Sequence, residues 1–174
     1  PEQEDGLMWG FQLWVNLPAS DKMTAPRYQN IEPETIPALD LPGGVRVKVI
    51  AGRIGNVAGA VQAVATEPTY LDVALPEGGA FSHAVPADDS AFVYPFEGSV
   101  RVGGKDGAVL DRGVLGVLDT GDAVTVHAAG RGAARFLLVA GRPLREPIAK
   151  YGPFVMNTEA QLVQAINDYN AGRF

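Results

Sequence analysis

With 174 residues, 47% of them apolar, the chain is long enough for one full domain or for one domain plus part of another. A net charge of −6 argues against direct binding to nucleic-acid phosphates or to anionic lipid, and no apolar run reaches the roughly eighteen residues of a membrane span. The absence of cysteine excludes disulfides, iron–sulfur clusters and thiol nucleophiles and fits a cytoplasmic protein, leaving only His83 and His127 for metal or proton chemistry.

The first apolar segment is Gly6–Pro18. Within it Phe11, Leu13 and Val15 alternate with Gln12, Trp14 and Asn16, which predicts a buried strand over Leu7–Val15. Such a strand needs a sheet partner and a covering layer. Either comes from later in the chain or from something N-terminal to residue 1. Pro18, Pro26, Pro33, Pro37 and Pro42 follow, and proline at this density removes ladder donors and fixes φ. Residues 18–44 are therefore expected to be an extended interdomain linker, with a barrel beginning near Val45.

From there the chain alternates in short runs. Strands are predicted at Val45–Arg53, Tyr70–Leu75, Ala91–Phe96, Ser99–Val102, Val114–Leu118, Ala123–Ala128 and Arg135–Val139. Val124 and Val126 share one face, with Thr125 and His127 on the other. The run Arg135–Ala140 is apolar on both faces, as a central strand would be. Short strands separated by turn residues point to an all-β sandwich or barrel. At the end, Thr158 and Gln161 stand in capping-box spacing, and Leu162, Val163, Ile166 and Tyr169 follow at helical spacing with Gly172 beyond. A helix over 158–174 is expected to close the chain, its apolar face on the barrel or on a neighbouring domain.

Two patterns could carry chemistry. Val117–Gly121 contains Asp119-Thr120-Gly121 after two apolar residues, similar to an aspartic-protease signature, which a homodimer would pair. Asp122 follows, however, and a third carboxylate would disturb the shared proton. A turn is the better reading, with Gly121 at positive φ. The second pattern is Gly79–Val85, which is similar to the first half of the cupin metal motif. There, histidines at i and i+2 of one strand point into the barrel and a carboxylate follows. Here the second histidine position is Val85, and Asp88 and Asp89 lie in a polar turn. In the second half, the position expected to be histidine is Val124, and His127 falls at a non-ligand offset. One histidine cannot build a closed metal site. The barrel reads as a cupin whose metal site is empty of ligands, with His83 and His127 as ordinary surface or hydrogen-bonded histidines.

Gly10–Pro18, Pro26-Arg27-Tyr28-Gln29, Glu146–Thr158 and Ala165–Phe174 together resemble the C-terminal part of the pirin family, the two-cupin proteins of the cupin superfamily. The resemblance runs from about residue 6 to the C-terminus. It implies an all-β fold, a cupin-type double-stranded β-helix (jelly-roll barrel) with a C-terminal α-helix. It divides the chain into residues 1–17, the last strand of an N-terminal cupin domain otherwise missing from this chain; the linker 18–44; a metal-free C-terminal barrel over 45–157; and the helix and tail over 158–174. The family's metal, iron or another divalent ion, is held by the N-terminal cupin, so no cofactor is expected in this chain. The family implies two activities: a quercetin 2,3-dioxygenase-like reaction on a flavonol-like small molecule, or a protein-binding cofactor role that modulates transcription-factor complexes. No catalytic residue and no metal ligand is expected here. Gln12 and Trp14 are the residues nominated beside the pocket of the other domain, on strand alternation alone. The opening strand is expected to pair with the missing N-terminal cupin domain or, by swapping, with a second copy of the chain.

Overall fold

In the computed structural model the described residues are 10–62 and 65–173, and the chain divides into two compact units. One runs from Thr24 to Arg145; the other joins the opening residues up to Met23 with Glu146 onward.

Among its described residues the first unit holds twelve strands: β1 Ala38–Leu41, β2 Val45–Ala51, β3 Arg53–Ile54, β4 Val57–Ala58, β5 Thr69–Leu75, β6 Ala80–Ala84, β7 Ser90–Glu97, β8 Ser99–Val102, β9 Ala108–Leu110, β10 Gly116–Val117, β11 Ala123–Ala129 and β12 Ala134–Gly141. Six form a sheet in the order β1-β2-β5-β12-β7-β10, and four form a second in the order β6-β11-β8-β9. Every named pairing is antiparallel. The main core lies between the sheets: Val47, Val49, Leu71, Val73, Phe136 and Leu138 from the larger meet Phe81, Val100, Val124 and Val126 from the smaller. This is the expected all-β jelly-roll barrel.

The predicted central strand sits where its two apolar faces require. β12 pairs with β5 on one side and β7 on the other. Phe136 and Leu138 enter the main core, while Leu137 and Val139 join Phe96 in a separate cluster on the opposite face. At one end of β12, Arg135 donates from Nε and Nη2 to the two carboxylate oxygens of Asp72 on β5, at 2.8 and 2.6 Å. Its Nη1 reaches Glu97 of β7 at 3.4 Å, and its guanidinium lies 5.0 Å from the Phe96 ring centroid.

Three expectations need correcting. Residues 10–15, the described part of the predicted first strand, form no strand; Leu7–Trp9 lie outside the described residues. Alternation alone makes no strand without a hydrogen-bonded neighbour. The connector over 18–44 is not free of sheet, because the four residues between Pro37 and Pro42 keep their amides and pair as edge strand β1 with β2, Ala38 opposite Lys48. Residues 149–156, assigned to the barrel, group instead with the opening segment.

In that second unit, β13 (Ala149–Tyr151) and β14 (Phe154–Met156) form a hairpin, followed by α1 (Glu159–Asn170). The predicted capping box is present: the Gln161 amide donates to the Thr158 hydroxyl, and the Gln161 side-chain oxygen accepts from the Thr158 amide. The helix buries Leu162 and Ala165 against Met156 of the hairpin. Val163, predicted for the apolar face, is 59% exposed. Among the described residues no helix is long and apolar enough to cross a membrane.

Candidate functional site

The barrel's own candidate site is built around β6. Its side chains alternate, so Ala80, Ser82 and Ala84 are exposed while Phe81 is buried and His83 half-buried on the inner face. The outward Ser82 hydroxyl meets Thr125 at 3.1 Å across the β6–β11 pair. His83 lies opposite Val124, and its ring stacks on Phe81 with centroids 6.2 Å apart. Two residues on, Val85 continues the inner face, fixed by its amide donating to the Asp122 carbonyl at 3.0 Å. Val85 and Val124 are 5% and 6% exposed and belong to the main core.

His83 borders a cavity of about 820 Å³, together with Arg53, Gln62, Glu67 and Thr69. The β3–β4 hairpin forms part of its wall through two glycines. Gly52 turns at φ +84°, and a Cβ on Gly59 would come within 2.7 Å of the Ala51 Cα, so only glycine lets the chain return this closely. Burial pushes the His83 pKa below its ordinary value, so at neutral pH the imidazole is uncharged, with one donor and one acceptor nitrogen. The cavity thus offers hydrogen bonds from a neutral ring, a guanidinium, a carboxylate and a hydroxyl. It does not offer a metal-ligand set. Among the described residues no three His, Asp or Glu side chains come together to hold a metal ion. Where the cupin motif would place two further donors beside His83 stand Val85 and Val124, whose side chains are carbon.

The other sequence candidates fall elsewhere. Asp119-Thr120-Gly121 is the loop between β10 and β11; Asp119 is exposed and borders a cavity of about 190 Å³. Gly121 is not at positive φ, contrary to the turn predicted for it. Asp88 is exposed in the turn after Val85, and His127 lies on β11 opposite Arg101.

In the second unit a groove of about 640 Å³ is lined by Trp14, Lys22, Met23, Lys150, Phe154 and Met156, among others. Trp14 is therefore at a cavity, 67% exposed; Gln12 is exposed and does not line that groove. Lys22 donates to the Asn16 side-chain oxygen. Partial burial lowers the Lys22 pKa, opposed by the charge of Glu146. Glu146 in turn ties the two stretches of this unit together: its Oε2 accepts from the Ala19 amide at 2.8 Å and from Asn157 Nδ2 at 3.0 Å. No local pattern could have announced Lys150 and Phe154 as neighbours of Trp14, since more than a hundred residues separate the two stretches.

Comparison with known proteins places these features. The family model described as the Pirin C-terminal cupin domain matches residues 70–174. The chain is 47% identical over 175 residues to a pirin-like protein of Caulobacter vibrioides, covering all of this chain and 62% of that protein. It is 40% identical over 161 residues to the pirin of Mus musculus, covering 92% of this chain and 55% of that one. Among solved structures, the quercetin 2,3-dioxygenase from Acinetobacter baumannii superposes with a TM-score of 0.81 at 36% identity, over 92% of this chain and 55% of that one. The chain thus spans about three-fifths or less of the length of the relatives it matches.

Proposed function

This chain belongs to the pirin family and carries that family's C-terminal cupin domain, and we propose that it is the metal-free barrel of a longer protein whose whole length is a metal-dependent oxygenase of the quercetin 2,3-dioxygenase type. The observation that carries this reading is the set of side chains around His83. A facial metal site needs three or more nitrogen or oxygen donors, and Val85 and Val124 put core packing where two of them would stand. In this reading iron, or another divalent metal, is held by an N-terminal cupin domain outside these residues. The barrel packs against that domain and shapes it. Trp14, and with it Gln12, would border the pocket that takes a flavonol-like substrate, and the cysteine-free composition fits a cytoplasmic setting.

Oxygen uptake tests this directly. The longer polypeptide loaded with iron is expected to consume O₂ with quercetin, while the 174-residue chain gives only the blank rate. Turnover by the 174-residue chain alone would put the site within these residues and end the reading.

A second reading, a protein-binding cofactor that modulates transcription-factor complexes, draws on a different observation. Val109, Val114, Leu115 and Val117 stand exposed along β9, the turn after it and β10, at the edges of the two sheets. In that case the longer protein leaves quercetin and O₂ untouched. Its affinity for a purified partner then falls when Val117 becomes glutamate.

A further inference from the structure

The cavity beside His83 has no part in the oxygenase reading, yet at about 820 Å³ it falls in the roughly 300–1,000 Å³ range of small-molecule sites. All of its lining residues lie in the barrel unit. Ala51, Gly52, Gly59 and Ala84 make part of that lining, so a ligand can come close to the backbone. A Cβ on Gly52 would stand 3.2 Å from the Thr69 hydroxyl oxygen, and glycine there keeps that oxygen clear.

Two opposite charges line this one cavity without pairing. Arg53 lies on β3, where its Nη1 donates to the Asn56 carbonyl at 3.2 Å and ties down the β3–β4 turn. Among the described residues it pairs with no carboxylate, and Glu67 pairs with no cation. The Nε and Nη2 edge of Arg53 is thus left open, the same edge that Arg135 uses to grip both oxygens of Asp72. Glu67 is held at φ +42°, directly before the buried Pro68. A residue with a Cβ is strained in that left-handed region, and strain of this kind collects at ligand clamps. His83 adds an uncharged ring with one donor and one acceptor, and Gln62 and Thr69 add an amide and a hydroxyl. Arg27, which is not part of the lining, donates from Nη2 to the Gln62 carbonyl at 2.9 Å and fixes that edge of the cavity.

We infer that this cavity binds a free, zwitterionic α-amino acid with a polar, uncharged side chain. The ligand's carboxylate meets the open edge of Arg53 and its ammonium meets Glu67, while His83, Gln62 and Thr69 hydrogen-bond its side chain. Charge selects this class. A simple anion is drawn to Arg53 and repelled by Glu67, and a simple cation meets the reverse. A neutral polyol leaves both charges without a counter-ion. Only a ligand that carries both signs answers both groups at once. The inference does not depend on the oxygenase reading and stands if that reading fails.

Proton–nitrogen NMR titration of the 174-residue chain with L-glutamine, L-asparagine and L-serine, each to about 10 mM, tests this. At least one is expected to give saturable shifts confined to the neighbourhood of residues 51–69 and 83–84. Arg53→Gln and Glu67→Gln are each expected to weaken that binding about tenfold or more, with the urea midpoint unchanged because both side chains are exposed. The N-acetyl derivative of the tightest ligand lacks the ammonium, and its amide derivative lacks the carboxylate. Each is expected to bind the unsubstituted chain about tenfold more weakly. The acetylated form then loses nothing further in Glu67→Gln, and the amide nothing further in Arg53→Gln. Spectra unmoved by all three amino acids would overturn the inference. Binding indifferent to both substitutions, or blocked derivatives as tight as the parent, would do the same. Acetate or glucose binding as tightly as the amino acid would also overturn it, making the cavity an anion site or a polyol site.

Discussion

His83 and Val124 stand opposite one another in the antiparallel pairing of β6 and β11, a neutral imidazole facing an isopropyl group across the inner wall of the barrel. Val85, two residues beyond His83, is buried in the same cluster as Val124. The backbone keeps the geometry in which i and i+2 of one strand face a residue of the next, and the side chains at two of the three places are carbon. The barrel therefore closes by packing, and its one inward histidine is available for hydrogen bonding.

That arrangement predicts how the barrel treats a metal. Titration of the untagged chain with Co(II) is expected to give no saturable visible absorption bands. The double variant Val85→His, Val124→His supplies three imidazoles on the inner face and is expected to gain them. It should lose about 1–3 kcal/mol of stability per site in metal-free urea denaturation, since a polar ring replaces a buried isopropyl group at each position. Bands that saturate at one equivalent in the unsubstituted chain would mean that donors other than these complete a site.

The burial of His83 also sets a pH dependence. Its pKa lies below the ordinary value of 6.5, so below that value the unfolded chain takes up a proton that the folded chain resists. The stabilisation is fully present above pH 6.5 and is lost as the pH falls from there toward the lowered folded value. Urea denaturation between pH 7.5 and 5 should show stability falling on the acid side, with a shallower fall in His83→Gln. An NMR titration that finds the His83 ring with an unlowered pKa would remove the basis for the effect.

The Arg135–Asp72 pair joins β12 to β5 by two parallel hydrogen bonds, with the Asp72 side chain only 13% exposed. Asp72→Asn is expected to cost about 1.5–3 kcal/mol, because it removes the charge from a partly buried acceptor that faces a guanidinium. Arg135→Lys keeps the charge, loses the fork and its seat over Phe96, and is expected to cost about 1 kcal/mol. Urea midpoints of both variants and of the double substitution check this. Losses below about 0.5 kcal/mol in both would class the pair with solvent-screened surface bridges.

Much of the barrel was readable along the chain because the signals are local. The two apolar faces of residues 135–140 announce a strand with neighbours on both sides, and β12 has them. The Thr158–Gln161 spacing announces a helix start, because the groups that satisfy it lie three residues apart. The apolar character of residues 85 and 124 is likewise written in the sequence, and both side chains lie in the main core. Within the candidate site, His83 is half-buried at a cavity that Arg53 and Thr69 also line, and no pattern around residue 83 names those neighbours.

Other features belonged to the three-dimensional path alone. Residues 10–15 alternate as a strand does, yet they join no ladder among the described residues, because a ladder needs a partner and periodicity does not name one. Ala38–Leu41 looks like spacer between prolines and becomes an edge strand because β2 runs beside it. The meeting of Ala19, Glu146 and Asn157 is the clearest case, since 127 positions separate its first two members. Residue type, period and capping are properties of neighbours in sequence and survive translation into a fold. Which distant segments share a core is a choice among many closures of the chain, decided by the apolar surface that each closure removes from water.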